Sequence, residues 1–269
     1  MRITFYCLMV ALMPLAMPQP STVADPAPPD LKLRLAKDGW GDASLADAEK
    51  VLRSAGKQVL ANFPAAKLEP IQLQPNGGPI ALFKRAKDGS IIVKLNTPGR
   101  LWAQYSFQFG HELCHIMCRF DDNDTGNLWF EESLCELSSL YTLRRMAEDW
   151  KTHPPYSNWK SYAPHLTEYA QKRIDDHPLP EGTTLARWYR DNADALRQNA
   201  TSRQRNTVVA TALLAMFEKE PSHWAAVGYL NQGKPRERQT FAGLQNWHDQ
   251  TPAEHRGFIR AVANQFELE

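Results

Sequence analysis

The chain has no excess of charge of either sign: 31 lysines and arginines stand against 30 aspartates and glutamates in 269 residues, a formal net charge of +1. Nucleic acid or an anionic lipid surface recruits partners through clustered charge of one sign, so there is no electrostatic case for either. Long apolar runs are missing too. The run from Ile3 to Leu12 is too short to span a bilayer, which takes about 20 residues, and Pro14 stands just beyond its end. Cysteine is scarce at four residues, and three of them, Cys114, Cys118 and Cys135, fall in one short region. An odd number leaves one thiol over if the compartment is oxidising. No internal repeat recurs, which argues against a solenoid.

The composition is that of a globular protein. It is 43% hydrophobic and 23% charged, and the chain is long enough to bury one substantial core. Residues 1–24 read as a secretory signal: Arg2, the apolar stretch to Leu12, then small and proline-containing sequence ending Ser21-Thr22-Val23-Ala24. Secretion or export to the periplasm is the consequence, with no stable membrane span after cleavage. Cys7 lies inside this leader and is given no role. Residues 25–30 (DPAPPD) read as a linker, and residues 31–269 as the folded domain.

From Leu31 the pattern is α+β. LKLRL alternates as a short strand. Ser44 and Asp47 then open a helix whose apolar positions run from Leu45 through Val51, Leu52 and Ala55 to Val59. Ile71 to Leu73, Ile80 to Phe83 and Ile91 to Leu95 read as strands separated by turns at Pro75-Asn76-Gly77-Gly78 and Lys87-Asp88-Gly89, which predicts a small antiparallel sheet. An apolar helix follows from Leu101 to Phe120, and a second helical pattern extends to about Ala147. Beyond Trp150 the chain reads as mostly helical, broken at His153-Pro154-Pro155-Tyr156 and His177-Pro178-Leu179-Pro180. Asn206 to Phe217 is a strongly apolar helix, and Phe241 to Trp247 and Ala253 to Phe266 close the chain. The division expected is an upper lobe of about 31–120 and a helical lower lobe of about 121–269.

The chemistry is concentrated in HELCH, His111 to His115, and in WFEESLCE, Trp129 to Glu136. Two histidines four residues apart stand on one helix face, where both imidazoles reach a single metal ion. Glu112 between them points aside, free to take a proton from a zinc-activated water as general base. The helix that carries them is apolar nearly all round, so these polar groups need partners, and a metal supplies them. A catalytic zinc keeps three protein ligands and one water. For the third ligand the candidates are Asp121, Glu131 and Glu132. Asp121 needs a chain-turning glycine after the helix where Cys118 stands. Glu132 is preferred because Glu136 follows one turn later on its face, placed to bond the outer nitrogen of a ligating histidine. Glu131 reads as a solvated, helix-starting glutamate sharing a face with Cys135.

HExxH followed after a short connection by a helix opening W-F-E-E-S resembles the gluzincin group of zinc metallopeptidases, which includes thermolysin-like and alanyl-aminopeptidase-like enzymes. The resemblance covers about residues 100–147. It implies a zincin-like fold, zinc held by His111, His115 and Glu132, Glu112 as base, Glu136 behind a histidine, and a peptide or protein as substrate. In that group the strand at the cleft edge commonly pairs with an extended substrate, and Ser90 to Leu95 reads either as that strand or, equally, as an interior strand with no ligand role. The choice between endo- and exopeptidase stays open. So do a non-catalytic envelope protein that keeps zinc for structure and a hydrolase of some non-peptide amide.

Arg205 and Asn206 are candidate donors to a transition-state oxyanion. Tyr162, His165 and Tyr169 read as packing or surface groups rather than cleft lining. Asp121 to Asp124 reads as a polar turn, since it lacks the ligand spacing of a calcium loop. Cys114 with Cys135 is the one disulfide worth considering, against three small buried thiols.

Overall fold

The computed structural model describes residues 28–64, 66–120, 128–232 and 242–268. The signal reading of residues 1–24, the Asp121 to Asp124 turn and Phe241 lie outside them. The fold is α+β. Four short strands, β1 (Leu33–Leu35), β2 (Ile71–Gln74), β3 (Ile80–Leu82) and β4 (Ile91–Lys94), form one sheet in the order β1-β2-β4-β3. The described residues also form eight α-helices: α1 (Leu45–Leu60), α2 (Trp102–Met117), α3 (Leu128–Trp150), α4 (Ala163–Asp175), α5 (Leu185–Gln198), α6 (Arg203–Lys219), α7 (Ala242–Gln250) and α8 (Ala253–Gln265). Short 3-10 helices at Ser157–Tyr162 and Pro221–Tyr229 were not anticipated from sequence.

The sheet corrects the expectation of an antiparallel one. β1 pairs parallel with β2, β2 parallel with β4, and only β3 and β4 run antiparallel. Two connections are responsible, and α1 accounts for the first, between β1 and β2. A strand, a helix and a returning strand make a crossover connection, and a crossover delivers its second strand parallel to its first. The second runs from β2 to β3 at the edge and back to β4, so that β4 lies parallel to β2, inside the sheet between β2 and β3, and Ser90 to Leu95 is not the edge. The edge facing the site is β3.

Ser44 caps α1, its hydroxyl accepting from the Asp47 N–H at 3.1 Å. Ala48, Val51, Leu52, Ala55 and Val59 then bury one face of α1 against α2. Helix α2 is buried all round, as its apolar composition dictates. Of its 16 residues all are buried except Gln104, His111 and His115, so the two histidines mark where this interior helix meets open space. Helix α3 packs along it. Gly110 allows the approach: a Cβ there would lie 3.1 Å from Thr142 Oγ1 on α3, and the Gly110 carbonyl accepts from Ser138 Oγ at 3.2 Å.

The first turn of α3 is held by aromatic rings from the end of the chain. Trp129 stacks on Tyr189 of α5 at 5.2 Å, and Phe130 meets Trp247 of α7 at 5.8 Å and Phe266 at 6.1 Å. Glu131 and Glu132 follow directly, so those rings fix the point from which both carboxylates project. Among the described residues no helix is long and apolar enough to cross a membrane.

Candidate metal centre

Helices α2 and α3 bring three side chains to one point. His111 Nε2 and His115 Nε2 stand 3.2 Å apart. Glu132 reaches both rings, with Oε2 3.3 Å from His111 Nε2 and Oε1 3.7 Å from His115 Nε2. Two donors bound about 2.0–2.1 Å from a tetrahedral zinc ion lie roughly 3.4 Å apart. The two Nε2 atoms, and each Nε2 with its nearer Glu132 oxygen, are spaced close to that, and one donor atom from each residue lies within 4.8 Å of the other two. His111, His115 and Glu132 form a group able to hold a metal ion, whose identity the donors alone do not fix.

Both histidines present Nε2 to this point because their outer nitrogens are held elsewhere. His115 Nδ1 lies 2.6 Å from Glu131 Oε1, and the other oxygen of Glu131 accepts from Asn231 Nδ2 at 2.8 Å. His111 Nδ1 lies 3.6 Å from Glu136, whose Oε1 accepts from Arg173 of α4 at 2.9 Å and from Thr207 Oγ1 of α6 at 2.8 Å. A carboxylate behind a ligating imidazole fixes its tautomer and raises its basicity. Glu136 lies on the Nδ1 side of His111, at ion-pair rather than hydrogen-bond distance. Glu131 is 2% exposed in its side chain and grips a histidine, so the solvated reading is overturned. Successive residues on a helix point about 100° apart. With Glu132 turned to the metal point, Glu131 comes alongside the second histidine. That much could have been read from the sequence, but Asn231, 100 residues further on, leaves no local trace.

No known protein family, curated protein or solved structure matches the chain. The site therefore has to be read from its own chemistry.

Electrostatics supply the test of fit. Glu112, Glu131 and Glu136 are buried, and Glu132 has a side chain only 16% exposed. Against these four carboxylates stand two imidazoles and the guanidinium of Arg173, which also lies over the Phe107 ring at 4.1 Å. Buried carboxylates need a compensating charge. A dication at the donor triangle would supply it. In its absence the histidines carry the burden: burial opposes a charged His111, yet the carboxylates of Glu132 and Glu136 raise it well above the ordinary imidazole value. Burial likewise opposes, and the Glu131 hydrogen bond outweighs, in His115. Burial is also set against ionised Glu136, but His111 and Arg173 pull its carboxyl down to about 2. Glu112 behaves differently. Burial raises it above the usual carboxylate range, with the nearby histidines opposing.

A cavity of about 320 Å³ opens onto the triangle. Its lining combines His111, Glu112, His115 and Glu132 with an apolar group, Ile80, Leu82, Phe83, Phe120 and Leu128, and with Thr201, Arg203 and Asn206 at the start of α6. The strand that lines it is β3. Of the two oxyanion candidates, Arg205 is turned away, bonding Asn192 and Ser202, and it does not line the cavity. Asn206 lines it, but its amide donates to the Ala200 carbonyl and its oxygen faces Ser133 Oγ. The aromatic and histidine groups of α4 and its approach pack as expected: Tyr162 OH accepts from the Ala103 N–H, Tyr169 sits edge-on to Phe107, and His165 pairs with Glu168 at the surface.

Cys114, Cys118 and Cys135 converge between the same two helices. They are free and buried, with sulfurs within 4.8 Å of one another, so no Cys114 to Cys135 disulfide is formed and Cys118 joins the pair. As donors they too could hold a metal ion. Burial pushes the Cys118 and Cys135 thiols up, and none of the three lines the cavity, which sets them apart from the histidine site.

Proposed function

We propose that the chain is a zinc metallopeptidase of gluzincin type, with a zincin-like fold in which His111, His115 and Glu132 hold the metal. The observation that supports this reading most is the convergence of one donor atom each from His111, His115 and Glu132 within 4.8 Å of one another, facing a cavity that also contains Glu112. When bound, zinc supplies Lewis acidity and lowers the pKa of a water toward about 7. The chain's own residues do the rest. Glu112, buried and held above the ordinary carboxylate value by that burial, accepts a proton from the attacking water and passes it to the leaving amine. Glu131 and Glu136 keep both imidazoles oriented. β3 is the edge strand beside the site, with the Ala81 backbone bonded to Glu112, and an extended peptide can lie along it.

The test is mass-spectrometric cleavage profiling of a mixed peptide library with zinc-loaded protein and its Glu112→Gln variant. Cuts made by the wild type alone, from two proteins that retain one zinc each, are expected. Their distance from the termini separates exo- from endopeptidase. A folded, zinc-bearing wild type that cuts nothing overturns the reading.

A further inference from the structure

We infer that Arg203 selects substrates carrying a carboxylate, and that this site takes peptides pairing an apolar side chain with that anionic group; the inference rests on the peptidase reading above. Arg203 opens α6 and lines the metal cavity. Among the described residues that line it, Arg203 is the one lysine or arginine, while Glu112, Glu131, Glu132 and Glu136 are all acidic. An anionic ligand entering there meets four carboxylates and needs a fixed counter-charge. Arg203 is the side chain that can give it.

Its surroundings show what it is available for. Arg173, the other guanidinium near the centre, is committed to Glu136. Arg144, Arg190 and Arg197 are likewise paired with carboxylates. Arg203 has no side-chain partner among the described residues and is exposed at the cavity. A donor to a transition-state oxyanion must be held in place before reaction, because preorganisation is where its effect comes from. Nothing holds this guanidinium. A carboxylate ligand, by contrast, orders the fork itself by forming two parallel N–H to oxygen bonds. The remaining lining selects the other half of the ligand. Ile80 and Phe83 are among the few large hydrophobics left exposed, at 44% and 63%, and Phe83 stacks on Phe120 at 5.5 Å beside Leu128. Apolar side chains of the substrate gain from covering that wall.

The carboxylate has two sources, the C-terminus of a peptide or an aspartate or glutamate side chain. Matched hydroxamate probes separate them without relying on turnover. One pair is Leu-Phe capped at its N-terminus with a hydroxamate-bearing succinyl group, with a free C-terminus or as its C-terminal amide; the second replaces phenylalanine with glutamate or glutamine, both amidated. Binding to zinc-loaded wild type, Arg203→Gln and Arg203→Lys is measured by titration calorimetry. A charge-assisted hydrogen-bond pair corresponds to about 10- to 100-fold in affinity. The acid of one pair is expected to bind wild type by that factor more tightly than its amide. Arg203→Gln should erase the difference and Arg203→Lys restore part of it. Preference in the first pair assigns the C-terminus, and in the second the side chain. If hydroxamates bind with no acid preference, or the preference survives in Arg203→Gln, the role of Arg203 is overturned while the metal site stands. If no hydroxamate binds the zinc-loaded protein, the peptidase reading falls with it.

Discussion

Glu131 and Glu132 are neighbours with opposite tasks, and the difference comes from direction alone. Glu132 faces the donor triangle and Glu131 the back of His115. Losing a carboxylate behind a ligating histidine weakens metal binding by roughly 10- to 100-fold. Glu131→Gln is therefore expected to lower zinc affinity by that factor in competition with a chromophoric chelator, and unchanged affinity would reduce Glu131 to a packing residue. The pH dependence belongs at this scale too. His111 is raised well above 6.5 in the metal-free protein, burial notwithstanding, by Glu132 and Glu136. Its protonation thus adds stability that is complete below the unfolded value and lost as pH rises through the folded one. Zinc requires the neutral ring, so protons compete with it at low pH. The difference in melting temperature between zinc-loaded and stripped protein should widen from about pH 6 to about pH 8. A difference that narrows over that range would argue against His111 as a ligand.

At the scale of elements, the pairing of α2 with α3 sets the centre, and Gly110 sets the pairing. A side chain there would press on Thr142, at 3.1 Å for Oγ1 and 3.3 Å for Cβ. Overpacking of a tight core contact costs about 1–3 kcal/mol. Gly110→Val should lose that much in chemical denaturation and also bind zinc more weakly, because His111 follows it directly. Full stability in that variant would show that the helices can separate without harm. These helices were legible in the sequence because their signals are local: apolar residues round α2, HExxH spacing and a W-F-E-E opening are all read within one or two turns. The sheet was misread for the complementary reason. Strand order depends on which strand takes the edge, and β3 does so, leaving β4 to return parallel to β2 where a three-stranded meander was expected. Of the two readings open for Ser90 to Leu95, cleft edge or interior strand, the sheet has the interior one, and β3 is the edge. Asn231, Arg173 and Thr207 were missed because nothing in their own neighbourhoods announces the carboxylates they bond.

At the scale of the molecule, the last helix supports the first turn of α3 through Phe266, which is 1% exposed and meets Trp129, Phe130 and Tyr189. Removing a buried phenylalanine ring costs about 3–5 kcal/mol. Phe266→Ala should show that loss by denaturant titration, and zinc at about 100 times its dissociation constant should return roughly 2.7 kcal/mol of it. A variant that zinc does not rescue would mean the ring also holds Glu132 in position.

The centre draws on positions 111, 115, 131, 132, 136, 173, 207 and 231. A ribosome delivers these in order, and a chain halted after α3 has its three metal donors but neither Arg173 behind Glu136 nor Asn231 behind Glu131. Synthesis at about 5–20 residues per second would separate the first histidine from the last supporting amide by several seconds or more. During that interval the donors exist without the framework that aims them. Nascent chains should take up zinc weakly, and full affinity should arrive only when nearly the whole protein has emerged.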